Sequence, residues 1–341
     1  MKIKQQFRQA FKKIVLGGDL LPLRFFIEQP QPQQEITVLL HGHGPVRDVT
    51  HRHGPASTIP FTLWIAFDAG RSPSKEQCPH LSLHFRETNG RQRLLGKIGL
   101  SWFQTIEAGS SDILVFQPRS AVNYCYPILH RNAQILLQLW RQRERKSKIK
   151  LSALEYRATS VLFTCPRPIS LVSVAQADRS SMFPLNVMGE VDERQFAFAL
   201  TASKIPAQFL QAAGRFALSV TPIEQAPVAF ALAANHNTFS FDFKRLPFPT
   251  RPSQTFGLPV PVFAPRVREM EIESVHDVGT HSMFVARTIS DEHFDKRSEF
   301  SVTHGVYQAW RLRHGLDSMA SIAKDARIRA GTLASGPEGK E

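Results

Sequence analysis

The sequence is short of cysteine and of acid, and it contains no long apolar run. Three cysteines, Cys78, Cys125 and Cys165, are scattered over 341 residues, too few for a disulfide framework and wrongly spaced for a CxxC zinc site. That usage fits a reducing compartment, and a cytoplasmic location is expected. No stretch approaches the roughly 18–20 unbroken apolar residues of a membrane span, so a membrane is not an expected partner. Asp and Glu number 29 against 42 Lys and Arg, a net charge of +13. The excess predicts attraction to something anionic, without choosing among phosphate cofactors, nucleic acid and membrane surfaces. No G-x-S-x-G nucleophile elbow is present, since GLSWF at 99–103 lacks the second glycine. Gly42-x-Gly44 lacks the third glycine of a dinucleotide fingerprint. No nucleic-acid module is recognisable, which argues against nucleic acid, and no repeat of fixed period is visible. What is present is apolar: 42% hydrophobic and 10% aromatic residues suffice for buried cores and exclude wholesale disorder. The length predicts two domains.

The first 18 residues, MKIKQQFRQAFKKIVLGG, carry five basic side chains, with Phe7, Phe11, Ile14 and Val15 on one helical face. They read as a terminal helix docking its apolar stripe; a membrane-surface helix and a transit peptide are the alternatives. From 35 to 118, EITVLL (35–40), FTLWIAF (61–67), HLSLHF (80–85) and DILVF (112–116) are strand candidates separated by Gly, Pro, Ser and Asn. A helical period follows, with Ile128, Ala133, Ile135, Leu136 and Leu139 repeating at three and four, and it runs into the basic stretch Arg141–Lys150. The boundary is placed there: a β-rich domain over 1–150 and a second domain over 151–330. In the second, strands are expected at 168–176, 194–200, 214–220, 237–243, 267–275 and 281–289, with a helix at 205–214 ending at Gly214. Six strands and one short helix suggest a closed barrel, because closure removes unpaired edges. A last helix is expected over 302–315, covering a barrel end or a partner, and the polar tail after Gly331 is not expected to pack.

The densest local signal is VLLHGHGPVRDVTHRHG. His41, His43, His51 and His53 can bring imidazoles to one side of a hairpin. No nearby Cys or second carboxylate completes a site, however, so a polar hairpin is preferred and no metal ligands are assigned. In the second half, a strand ends at Thr201 and is followed by Ser203, Lys204 and a helix from about Ile205. Two hydroxyls, an ammonium and a helix amino end make a phosphate cradle; plain N-capping by Ser203 is the alternative. Pro206 fits the first helical turn, where its missing N–H costs nothing.

The order of segments in the second half is itself informative. CPRPISLVSVAQ leads to Phe183-Pro184-Leu185-Asn186-Val187-Met188, then to the Thr201–Lys204 loop and its helix, then to Gly214-Arg215-Phe216-Ala217-Leu218-Ser219, and finally to His281-Ser282-Met283-Phe284-Val285-Ala286. Over residues 158–315 this resembles the flavin-reductase-like family, whose members bind FMN in a split β-barrel. Asn186 stands where the family often has Ser, Pro206 where a Thr commonly helps hold phosphate, and Ala286 where Gly is usual. The resemblance implies a mainly β (α+β) chain with a C-terminal FMN-binding split barrel. It also implies an NAD(P)H-dependent flavin reductase, passing hydride to FMN and electrons onward, and a homodimer with flavin near the interface. The implied flavin residues are Phe183, Leu185, Asn186, Thr201, Ser203 and Lys204. Phe183 to Met188 can offer backbone groups and a flat surface to the ring, or simply be core. His281 can contact the nicotinamide or be a turn residue. The hydride step needs no proton-transferring side chain, because the cofactors carry that chemistry. A non-catalytic flavin-binding interaction module is the alternative reading, and a basic nucleic-acid binder a more remote one.

Overall fold

The computed structural model describes residues 24–29, 35–109, 111–144, 150–176, 179–233, 243, 246–297 and 299–315. The basic segment 1–18, most of the strand expected at 237–243 and the tail after Gly331 lie outside the described residues. The described chain is mainly β, as expected. Strand β1 (Arg24–Gln29) comes first. Then β2 (Ile36–His41), β3 (Arg47–Asp48), β4 (His53–Thr58), β5 (Phe61–Asp68), β6 (Ser82–Glu87), β7 (Leu94–Ala108) and β8 (Ser111–Asn123) form one antiparallel sheet, in the order β3-β2-β6-β7-β8-β5-β4. In β2 the buried Ile36, Val38 and Leu40 alternate with half-exposed neighbours, the period-two signature of a sheet with one packed face. Strand β5 is buried almost throughout because both its faces are covered. Leu63, Ile65 and Phe67 enter the core of the first half, while Trp64 and Ala66 enter a core shared with the second half.

Two helices follow, α1 (Ile128–Glu144) and α2 (Ala153–Leu162). Helix α1 has the expected period, yet Ile128, Leu136 and Trp140 of its apolar side are exposed and Ile135 is buried. Helix α2 begins in a capping box, with Ser152 accepting from the Glu155 N–H and Glu155 accepting from the Ser152 N–H. It lies on β7 and β8 with Ala158, Val161 and Leu162 in the first core.

The second half contains β9 (Arg167–Pro168), β10 (Ser170–Gln176), β11 (Arg179–Leu185), β12 (Met188–Glu190), β13 (Gln195–Thr201), helix α3 (Ile205–Ala213), β14 (Arg215–Val220) and helix α4 (Ala226–Leu232). After these come β15 (Thr250–Pro252), β16 (Pro259–Pro261), β17 (Arg266–Val278), β18 (His281–His293), β19 (Glu299–His304) and helix α5 (Gly305–Arg313). Seven of the strands form a second antiparallel sheet, β11-β10-β14-β17-β18-β13-β12. It curls as a split barrel around an aromatic core. Phe198 stacks on Phe284 at 5.0 Å and meets Phe216 edge-on at 5.4 Å, with Phe183 and Phe209 beside them.

One expectation is corrected here, and two further features were not anticipated. Residues 302–304 belong to the buried strand β19, and the last helix starts only at Gly305. Val306, Tyr307 and Trp310 of that helix pack into the core of the first half. The Tyr307 hydroxyl donates to Glu35 at 2.6 Å and Arg311 forms an ion pair with the same carboxylate. Strand β7 was not anticipated; it contains Gly96 and Gly99, and glycine is poor in strands. Both are close-approach glycines, since a Cβ would lie 2.6 Å from Val161 Cγ1 and 2.5 Å from Ser120 Oγ respectively.

Candidate functional site

The site grows from the ends of two neighbouring strands. Strands β13 and β18 pair antiparallel so that Thr201, the last residue of one, lies opposite His281, the first of the other. Immediately after Thr201 the chain turns, the Lys204 N–H donating to the Thr201 carbonyl at 2.9 Å, and helix α3 begins. Lys204, not Ser203, is the N-cap residue, extended at φ −96° and ψ 147°, and no side chain caps the helix. N-capping by Ser203 is therefore replaced by a helix amino end that carries no side-chain oxygen of its own. The exposed Ser203 and Lys204 stand at that end, with half-exposed Thr201 behind them. At its other end the helix stops at Gly214, whose φ of 69° is the left-handed conformation expected of a C-cap glycine.

His281 is half-buried and held by hydroxyls. Its Nδ1 lies 3.1 Å from Thr280 Oγ1 and 3.4 Å from Ser57 Oγ, and it accepts from the Thr58 N–H at 3.5 Å. With Nδ1 accepting, Nε2 carries the proton and donates to Thr201 Oγ1 at 3.4 Å. Burial lowers the imidazole pKa below its ordinary value of 6.5, so the ring is neutral at pH 7. Ser57 and Thr58 come from the first half, more than two hundred residues away in sequence, and sequence reasoning missed them. No spacing or motif signals the pairing.

The other expected flavin residues are placed less directly. Phe183 and Leu185 turn their side chains into the barrel core, and β11 is an edge strand of its sheet. What they can offer a ligand is the outer backbone edge. Asn186, half-exposed, follows β11, and the Ala199 N–H donates to the neighbouring Val187 carbonyl at 3.2 Å. That bond carries Asn186 toward the Thr201 end of β13. The structure thus gathers Thr201, Ser203, Lys204 and His281 at one end of the barrel, with Asn186 approaching from the side.

The histidine hairpin does not converge. His41 stacks on His84 at 3.9 Å, while His53 is fully buried and faces the other way. Its Nδ1 donates to the Val49 carbonyl at 2.7 Å, and its Nε2 accepts from Arg167 at 2.5 Å. Burial, reinforced by Arg167, drives the His53 pKa well below 6.5. Among the described residues no group of three or more His, Cys, Asp or Glu side chains is arranged to hold a metal ion.

The family description "Flavin reductase like domain" matches residues 162–311. Those residues are a flavin reductase like domain. Solved structures similar to this chain include an FMN-binding protein from Thermus thermophilus, 23% identical, covering 38% of this chain and 71% of that one at a TM-score of 0.33. An NADH:FAD oxidoreductase of Streptomyces globisporus is 18% identical over 44% of this chain and 89% of its own, with a TM-score of 0.39. The flavin reductase component of a bacterial two-component tryptophan halogenase is 19% identical over 44% and 92%, at 0.38. No curated protein matches the chain significantly.

The chemistry at this end of the domain suits an anion such as a phosphate. Two hydroxyls, an ammonium and the backbone N–H groups of a helix amino end without a side-chain cap can all donate to an anion. Asp and Glu are absent from the segment 201–214, so no carboxylate of the loop or helix opposes one.

Proposed function

We propose that the protein is an NAD(P)H-dependent flavin reductase that uses FMN. One arrangement carries this reading: within a flavin reductase like domain, His281 and Thr201 face each other beside the uncapped amino end of α3. Bound flavin would accept a hydride from the nicotinamide and pass electrons onward. The chain's own contribution is to bind and orient. Thr201, Ser203 and Lys204 hold the phosphate, Asn186 and the outer edge of β11 at Phe183 and Leu185 meet the ring, and neutral His281 lines the nicotinamide side. Because His281 is held neutral and already hydrogen-bonded, it positions rather than transfers a proton. The described cysteines are buried free thiols, which suits a reducing compartment such as the cytoplasm.

The test is a titration of the purified protein with FMN, followed by NADH and NADPH oxidation. Lys204→Glu should weaken FMN binding by about 10- to 100-fold, since a charge-assisted hydrogen bond worth about 1.5–3 kcal/mol becomes a repulsion. Ser203→Ala should weaken it less, because the backbone donors remain. Unchanged affinity in a folded Lys204→Glu protein would move the phosphate elsewhere. Tight FMN binding without NADH or NADPH oxidation would favour a non-catalytic flavin-binding module.

A further inference from the structure

The two large sheets have the same topology. Numbering the strands one to seven within each sheet, the first (β2 to β8) runs 2-1-5-6-7-4-3, and so does the second (β10 to β14, then β17 and β18). All six neighbouring pairs are antiparallel in both. The details of register repeat as well. The hairpin of strands six and seven closes through a glycine at positive φ in each, Gly109 at 58° and Gly279 at 57°. The final pairs before those turns are Ala108 with Ser111 and Val278 with His281. Following the ladder to strand four sets Asp68 in the place of Thr201 and Trp64 in the place of Ala197; strand three then sets Gly54 in the place of Gly189.

The two sheets also touch through matching parts. Gly279, at the hairpin tip of the second sheet, meets the turn between strands three and four of the first: the Thr280 N–H donates to the Ile59 carbonyl at 2.9 Å, and a Cβ on Gly279 would lie 2.5 Å from that oxygen. Gly109, at the hairpin tip of the first sheet, meets Gln195 beside the corresponding turn of the second, where a Cβ would lie 3.2 Å from Gln195 Nε2. The core between them contains both members of equivalent pairs, Ala108 and Val278, Ile113 and Met283, Val115 and Val285. Reciprocal contacts of this kind define a two-fold interface between copies of one fold. Here both copies are in one chain.

The pseudo-symmetry sets two equivalent places between the copies, and they are not equal. At one, Thr201 and His281 of the second copy meet Ser57 and Thr58 of the first, with Ser203 and Lys204 following Thr201. The other is a cavity of about 680 Å³ lined by Asp68 and Arg52 of the first copy and Glu190, Asp192, Glu193, Arg194, Gln195 and Arg287 of the second. Asp68, which lines it, stands in the place of Thr201, the buried Ser111 stands in the place of His281, and only a 3-10 turn, Cys78–His80, stands where α3 would follow. It therefore lacks the helix amino end, and in the place of the Thr201 hydroxyl it sets the Asp68 carboxylate, ion-paired with Arg52 at 2.7 Å.

We propose that residues 36–123 are a second, altered copy of the split barrel, docked on the other through matching surfaces, and that its turn Ser57–Pro60 completes the His281 site. The site is then built within a single chain and occurs once per chain. This deepens the flavin reading and rests on it only for the identity of the ligand; a second chain is not needed to complete the site, in place of the homodimer that the resemblance implied.

Two measurements test the proposal without flavin. Native mass spectrometry of the full chain should give the 38.4 kDa monomer; a stable dimer at micromolar concentration overturns it. In the ¹⁵N spectrum of the histidine rings, Ser57→Ala should move the His281 Nδ1 signal and Ser57→Thr should restore it, with the remaining histidine signals unchanged. A His281 signal indifferent to Ser57→Ala overturns the part assigned to the first copy. Where FMN binds, its stoichiometry should be one per chain, and two per chain would overturn the inequality of the two places. Absence of FMN binding would remove the flavin reading while leaving the mass and the His281 signal to judge the tandem fold.

Discussion

Glu299 and His281 titrate in opposite senses, and each gives a separable prediction. Glu299 lines a cavity of about 430 Å³ at an end of the barrel, together with Arg266, Arg268 and Phe196. Burial pushes its carboxyl up from 4.5 to about 7, against the pull of Arg268 and Arg266. A folded pKa above the unfolded one means that folding favours the protonated acid. Its stability contribution is fully present below pH 4.5 and is lost as pH rises through about 7. Glu299→Gln should remove that loss, at most about 3 kcal/mol, so that melting temperatures at pH 4.5 and pH 7.5 differ less than in the unaltered protein. For His281 the folded pKa is depressed, so its contribution is present above 6.5 and fades as pH falls. Its functional test is kinetic. His281→Ala should slow flavin reduction per bound FMN on the order of a hundredfold, as a misplacement of about 1 Å can, with FMN affinity near normal. A normal rate with a lowered melting point would make it a turn residue. At this scale the sequence was legible wherever the site is contiguous. Thr201, Ser203 and Lys204 stand together because a strand-to-helix turn needs adjacent residues, whereas Ser57 and Thr58 reach His281 only through the docking of the two halves.

Elements were read well where one force dominates and poorly where two compete. Helix α3 was legible from its apolar period and its terminal glycine, and Gly214 gives a clean test. Its φ is 69°, and a Cβ there would meet nothing within 4 Å. Gly214→Ala should therefore cost only the left-handed backbone penalty, about 1–2 kcal/mol, measured by urea unfolding. A larger loss would point to a contact rather than to backbone strain. Strand β7 illustrates the competing case. Glycine in a strand usually weakens it, yet Gly96 and Gly99 admit Val161 of α2 and the Ser120 side chain. The same competition hid the start of α5. Residues 302–304 are compatible with a helical period, but pairing with β1 and β9 holds them extended. Helix α1 had the right period and an unexpected face, because periodicity fixes which residues share a side and not whether that side is covered.

For the whole molecule, the fold class was legible and the repetition was not. A repeat is seen in sequence only if equivalent positions keep similar residues, and here Trp64 answers to Ala197, Asp68 to Thr201 and Ser111 to His281. The division near residue 150 is kept as a proposal for the two large sheets, which draw their strands from either side of it. Helices α2 and α5 both return to the core of the first half, and Trp64 stands between Gly54 and Gly189, the equivalent glycines of the two copies. This shared core predicts that the protein unfolds as one unit. A Cβ on Gly189 would lie 2.8 Å from the Trp64 ring and 2.9 Å from the His53 carbonyl, so Gly189→Ala should cost about 1–3 kcal/mol by overpacking. The loss should appear as a shift of a single calorimetric transition. Trp64→Phe in the same chain should recover part of it, because a smaller ring relieves the first contact and leaves the backbone oxygen in place. The double-mutant cycle should give a coupling of about 0.5–3 kcal/mol, the range for residues in contact. Two resolved transitions, with only one moved by Gly189→Ala, would mean that the copies fold independently and that Trp64 does not join them.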